Sequence, residues 1–312
     1  MMMLSYAQNR EDVVLARAFD RAPGFYIDVG AASPVINSVT KHFYDHGWHG
    51  VNVDPLPFWH EQLERERPRD VNLAVGLAEQ VGSLTFYDVS AEAREESTFS
   101  AAVAESLRTR GLAVEPREVP VSTLAAVCEQ YAPETIDFLK VDVEGLELPV
   151  LRGADWSKFR PSVVVVECTH EDHGASVTDF MADAGYVVVL FDGVNMFYVE
   201  EDDAEVRERL RAPANALDGF EDAIVVDLES QVATLSAQYE RELADSSRRT
   251  HELDERIREL ERVAMAAQRG AEALQGRLEL AERDVVVARR RATDAELQFR
   301  VAREALERLL DE

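Results

Sequence analysis

The sequence predicts an α/β protein with a mostly parallel sheet, followed by a long C-terminal coiled coil. Three observations predict it. Short apolar runs alternate with amphipathic stretches up to about residue 200, the pattern of a sheet covered by helices on both faces. One run, Val163–Val166, is four consecutive valines, as in a strand buried on both sides. After Leu228 there is no proline and only Gly270 and Gly276 as glycines, in a dense mixture of Arg, Glu, Ala and Leu.

Phe25–Val29 reads as the first buried strand, turned by Gly30. Gly50–Asp54, closed by Pro55, is the second, and Val71–Val75 the third. Ser38–His46 and Pro57–Arg67 carry helical patterns between them. Ser83–Tyr87 reads as a further short strand, and Ser97–Arg110 as polar and helical in part. Ile136–Asp142 is a strand running into Val143-Glu144-Gly145, with a short helix over Leu146–Leu151. Ser162–Glu167 is the valine strand, and Val177–Ala184 a helix stopped by Gly185. Tyr186–Phe191 and Asn195–Val199 read as an antiparallel hairpin over Asp192-Gly193, which places an antiparallel edge on the sheet.

The chain has 312 residues, with 33 Lys+Arg against 60 Asp+Glu and a formal net charge of -27. That charge excludes nucleic-acid binding driven by counterion release. Only Cys128 and Cys168 are present, so neither a disulfide framework nor a cysteine zinc cluster is expected, and a reducing, cytoplasmic setting fits. Met1–Leu4 is too short and lacks the basic flank of a signal peptide. No apolar run is long enough for a membrane span.

Ligands of open parallel sheets bind beyond the carboxyl ends of the strands. Those ends read Asp28-Val29-Gly30-Ala31-Ala32, Asp54-Pro55, Asp142-Val143-Glu144-Gly145 and Glu167-Cys168-Thr169-His170, all acidic. The glycine-rich phosphate cradles G-x-G-x-x-G and G-x-x-x-x-G-K-[ST] are missing. The rim suits a ligand with hydroxyls to donate and positive charge to neutralise, which describes S-adenosylmethionine. Gly30 would let the backbone pass close to that ligand, and Asp54 would accept its ribose hydroxyls. Taken singly, each of these aspartates is as well explained as a helix cap or turn residue.

Four segments, in order, resemble the FkbM-type methyltransferases. They are Tyr6-Ala7-Gln8-Asn9-Arg10-Glu11-Asp12, Gly24–Ala31, Gly47-Trp48-His49-Gly50-Val51-Asn52-Val53-Asp54-Pro55 and Ile136–Glu147. The resemblance covers roughly residues 4 to 200. It implies a class I, Rossmann-like fold with a seven-stranded sheet, and S-adenosylmethionine-dependent methyl transfer to oxygen, commonly onto sugars of glycans or glycolipids or onto secondary metabolites. It implies a cofactor site made by Gln8, Asn9, Asp28, Gly30, Ala31, Ser38, Asp54 and Pro55. Ala7 and His49 stand where the family usually has serine and arginine. The organisation expected is a methyltransferase domain over 1–210, a linker or domain extension over 211–227 and a helical coiled coil over 228–312.

Displacement at a methyl sulfonium needs an aligned acceptor oxygen and a route for its proton. One solution is a divalent cation held by Asp142, Glu167 and His170, with Glu144 as a fourth ligand; the donor set suits Mg²⁺, or Mn²⁺ if the imidazole binds. The other is a general base, His170 or His173. Glu171–Gly174 and Glu92–Ser100 read as loops over the site, or as ordinary exposed loops. Glu147 doubles as a first-turn helix acid, and Lys140 as a buried partner of Asp142 or Glu167.

From Leu228 the apolar positions follow alternating spacings of four and three, including Leu253, Ile257, Leu260, Leu274, Leu278, Val285, Phe299 and Leu306. That is a coiled-coil repeat of about eight heptads, with a stutter expected at Tyr239 after Leu228, Val232 and Leu235, before Leu243. Many seam positions are alanine, so each layer buries little. A parallel oligomer, a hairpin within the chain and docking to a partner protein are all open; the reading adopted is a homo-oligomer. The alternative to an enzyme is an inactive methyltransferase-fold head on such a rod. The intact Asp28, Gly30, Asp54, Asp142 and Glu144 argue for the enzyme.

Overall fold

A computed structural model describes residues 2–19, 23–168, 171–266 and 271–310, with the side chains of 92, 171–173, 264–266, 271–278, 304–305 and 307–310 outside the description. The chain forms two compact units, Met1–Glu221 and Asp222–Glu312.

In the first unit a seven-stranded sheet is built from β2 (Phe25–Val29), β3 (His49–Val53), β4 (Val71–Leu73), β8 (Phe138–Val141), β9 (Val163–Glu167), β10 (Tyr186–Phe191) and β11 (Asn195–Glu200). Their order is β10-β11-β9-β8-β2-β3-β4. All neighbours from β9 to β4 run parallel, and β11 is antiparallel to both β9 and β10. The antiparallel strand therefore sits one place in from the edge. The chain leaves β2 towards β3 and β4, then crosses back to β8 on the other side of β2. The β2/β8 boundary is thus the switch point at which open α/β sheets bind ligands.

Alternate residues enter separate cores on the two faces of the sheet. Ile27, Val29, Leu139, Val141, Val164 and Val166 lie in one, and Tyr26, Phe138, Val163, Val165 and Phe197 in the other. Burial on both faces is why these strands read as unbroken apolar runs. The helices of this unit are α1 (Glu11–Ala16), α2 (Lys41–Asp45), α3 (Pro57–Glu66), α4 (Ala101–Thr109), α5 (Leu124–Tyr131), α6 (Glu147–Arg152), α7 (Glu171–Asp183) and α8 (Ala204–Leu210).

Several expectations need correction. Ser83–Tyr87 belongs to a second sheet, β5-β7-β6, of β5 (Gly76–Leu77), β6 (Gly82–Val89) and β7 (Val114–Ser122). Glu171–Gly174 is no loop but the first turn of α7. The acidic stretch 200–208 runs into α8, which Asp203 caps by accepting from the Val206 N–H at 3.0 Å. The extension after α8 is tied down by Arg17, which pairs with Asp218 and donates to the carbonyls of Ala212 and Pro213. It ends in β12 (Phe220–Asp222), paired with β1 (Met3–Ser5).

The second unit is a helical hairpin of α9 (Ala223–Ala266) and α10 (Ala271–Leu310). Tyr239 stacks on Phe299 at 5.1 Å, and the Ser246 hydroxyl donates to the Ala288 carbonyl at 3.3 Å. Contacts that climb one helix while descending the other make the pair antiparallel. Val232, Tyr239, Ser246, Leu253 and Leu260 face the seam at an unbroken seven-residue spacing, without the expected stutter. Leu235 and Leu243, expected inside, are exposed, whereas Ala281, Val285, Ala288 and Ala295 of α10 are buried. The expected seam positions from Ala264 to Leu278 lie outside the described side chains.

Candidate active site

The carboxyl ends of β2, β3, β8 and β9 open into one cavity, lined among others by Gly30, Ala31, Asp54, Asp142, Glu144 and Glu167. Gly30 has φ +80°, and a Cβ there would lie 1.7 Å from the Asp142 carbonyl oxygen. The approach of the β8 end by itself therefore demands glycine at this position of the cavity lining. Ala32, at φ +46°, donates its N–H to Asp54 Oδ2 at 3.1 Å. Asp54 Oδ1 accepts from the Leu56 N–H at 2.8 Å. Burial pushes the Asp54 carboxyl up to about 7, against the two backbone donors, which favour its ionised form.

Lys140 lies between the first loop and the acids. Its ammonium donates to the Gly30 carbonyl at 3.1 Å and sits 3.4 Å from Asp28 Oδ1 and 3.2 Å from Asp142 Oδ2. Burial lowers its affinity for a proton, but Asp28 and Asp142 outweigh burial and hold it above its ordinary value. The expected partner Asp142 is present; Asp28 was not foreseen.

Ligand atoms of Asp142, Glu144 and Glu167 lie within 4.8 Å of one another. Glu144 is at φ +54° and Gly145 at φ +105°. The Thr98 hydroxyl donates to the Glu144 carbonyl at 2.6 Å, and Glu147 Oε1 accepts from the N–H groups of Val143 and Gly145 at 3.2 and 2.9 Å. Glu147 thus stabilises the turn instead of facing the reaction. Burial, then the charges of Asp142 and Glu147, push Glu144 up to about 7. Burial with Asp142 and Glu144 raises Glu167 well above the carboxylate range. Carboxylates this close repel one another and favour protons or a cation between them.

Gln8, Gly30, Ala31, Asp54 and Pro55 line the cavity as the family resemblance implies. Three expected cofactor residues do not. Asp28 lies beneath the loop, accepting from Thr40 Oγ1 at 3.1 Å. Ser38 is buried, accepting from Arg67 Nη2 at 2.9 Å, while its neighbour Asn37 reaches the cavity. The Asn9 side chain donates to the Asp192 carbonyl at 3.3 Å. Of the expected metal ligands, Asp142 and Glu167 come together with Glu144, and His170 lies outside the described residues. His173 is in the first turn of α7, with its side chain outside the description.

The expected Glu92–Ser100 stretch reaches the cavity through Glu95, Glu96, Ser97 and Phe99, and Phe99 completes an apolar wall with Leu56, Leu77 and Phe86 that the sequence did not show. The site residues fit the expected cofactor in kind: an apolar wall for a base, a carboxylate for ribose hydroxyls, and an acidic end for a sulfonium and an ammonium.

A family model described as the methyltransferase FkbM domain matches residues 28–188, more than half of the chain. No curated protein matches the sequence. The solved structure of precorrin 8w decarboxylase from Methanobacterium thermoautotrophicum is 15% identical, with 64% of this chain and 92% of that one covered and a TM-score of 0.32; a likeness that loose carries no argument. The family match rests on the β2–β10 region that builds the cavity, and the chain belongs to the FkbM methyltransferases, S-adenosylmethionine-dependent O-methyltransferases.

Proposed function

We propose that the protein methylates a hydroxyl of a sugar, in a glycan, glycolipid or glycosylated metabolite, with assistance from Mg²⁺ or Mn²⁺. The observation that carries this reading is the convergence of Asp142, Glu144 and Glu167 beside the cofactor loop. S-adenosylmethionine supplies the electrophilic methyl group, and a divalent cation would acidify and orient the acceptor hydroxyl. Asp54 orients the ribose, and the apolar wall holds the adenine. The three acids hold the cation and receive the polar end of the acceptor. Lys140, 3.2 Å from Asp142 Oδ2, holds that carboxylate in place. Free, buried Cys128 and Cys168 are in keeping with a reducing, cytoplasmic setting, and the long helices with an oligomer.

Calorimetry of S-adenosylmethionine binding to EDTA-treated protein tests the cofactor assignment, repeated with Mg²⁺ and with Asp54→Ala. Binding lost in Asp54→Ala supports it. Folded protein that binds no cofactor would instead favour the inactive head on a helical rod. Mn²⁺ affinity measured by electron paramagnetic resonance, and abolished by Asp142→Asn, tests the cation.

A further inference from the structure

Most of the large apolar residues of α10 lie on the side away from α9. The seam towards α9 holds the small Ala281, Val285, Ala288 and Ala295, with Phe299 stacked on Tyr239. The larger Leu280, Val286, Val287, Leu297 and Val301 are each at least half exposed on the roughly opposite side of the helix. Leu280, Val287, Asp294 and Val301 repeat every seven residues, and Arg283, Arg290 and Leu297 follow the first three of them by three. This is a second heptad seam on a helix whose first seam is already filled.

We propose that this outer face of α10 pairs with the same face of a second copy of the chain, antiparallel, in a two-fold dimer. The choice of occupant rests on charge. In an antiparallel pair centred between Arg290 and Asp294, Arg290 of each copy meets Asp294 of the other. Val287 then meets Leu297, and the aliphatic stem of Arg283 covers Val301. The face is therefore complementary to itself, as an isologous interface requires. A parallel pair would set Arg283, Arg290 and Asp294 each against its own copy, and like charges in facing positions are disfavoured. The paired Arg290 and Asp294 at the centre would fix register, the best-attested role of polar residues in helical seams. This proposal rests on the oligomeric reading of the tail and is independent of the cofactor and of methyl transfer.

Sedimentation equilibrium of the full-length chain tests it, with circular dichroism to confirm that each variant remains helical. The expected result is a dimer that Val287→Glu with Leu297→Glu converts to monomer. Arg290→Asp, which sets two acids in each central layer, should weaken association by about ten-fold or more. Adding Asp294→Arg should restore it, because the layers again hold opposite charges; in a parallel pair the double exchange leaves like against like. A monomeric native chain overturns both the interface and the oligomeric reading. A dimer indifferent to the two glutamates overturns this interface alone, and a double exchange that fails to restore association overturns the antiparallel pairing.

Discussion

The hydroxyl of Thr98, fully buried, donates to the carbonyl of Glu144 at 2.6 Å. Thr98 comes from the segment between β6 and α4, so a residue far off in sequence holds Glu144 in its left-handed conformation. That conformation costs a non-glycine residue about 1–2 kcal/mol. Thr98→Val keeps the shape and removes the hydroxyl, leaving unsatisfied both the Glu144 carbonyl and the Ser100 N–H, which donates to Thr98 Oγ1 at 2.8 Å. A loss of about 1–3 kcal/mol in urea unfolding is expected, with Thr98→Ser close to native. If the valine variant unfolds like the native protein, the clamp contributes nothing.

Gly30→Ala is expected to be far more damaging than its single methyl suggests. The new Cβ would fall 1.7 Å from the Asp142 carbonyl, and the residue would hold φ +80°. Overpacking and backbone strain together predict about 2–4 kcal/mol. S-adenosylmethionine binding should vanish in calorimetry even where the variant is still folded, because β2 and β8 must part at the switch point.

The strand-end acids were legible because backbone topology alone brings them together: Asp54, Asp142, Glu144 and Glu167 follow parallel strands and must meet at one rim. Which side each residue faces was harder. Asp28 alternates with Ile27 and Val29 and so shares the face of Tyr26, which turns it under the loop. Phe99 lies in the Glu92–Ser100 stretch read as a loop over the site, but Phe86 escaped notice because its place in the wall depends on the long-range pairing of β6 with β7, which local pattern does not report. The heptads of the tail were plain, but a repeat does not say whether its partner strand is the same chain. The alanine-rich seam of α10 was legible in that repeat, but the large apolar residues left on its outer face were not.

Lys140 is the countercharge on which Asp28 depends. Asp28 Oδ1 accepts no hydrogen bond and has the ammonium at 3.4 Å, while Oδ2 has Thr40. Lys140→Met would strand a buried carboxylate, at an expected cost of about 3–5 kcal/mol in urea unfolding. Adding Asp28→Asn removes the uncompensated charge and should recover part of that loss. A double variant no more stable than the single one would mean that Lys140 acts mainly through Asp142.

Asp54 ties cofactor affinity to pH. Burial raises its carboxyl from 3.8 to about 7, so the ligand-free fold holds a proton that the unfolded chain releases. Stability from this group is full below its unfolded value and is lost as pH rises through about 7. Ribose hydroxyls donate to the ionised carboxylate, so cofactor binding favours the opposite state and expels the proton. Affinity for S-adenosylmethionine should therefore rise with pH, by up to about ten-fold per unit below 7, and level off above it. Calorimetry in buffers of different ionisation enthalpy would record the proton leaving, and Asp54→Asn should abolish that release. An affinity unchanged between about pH 6 and 8 would mean that ribose binds without drawing on the charge of Asp54.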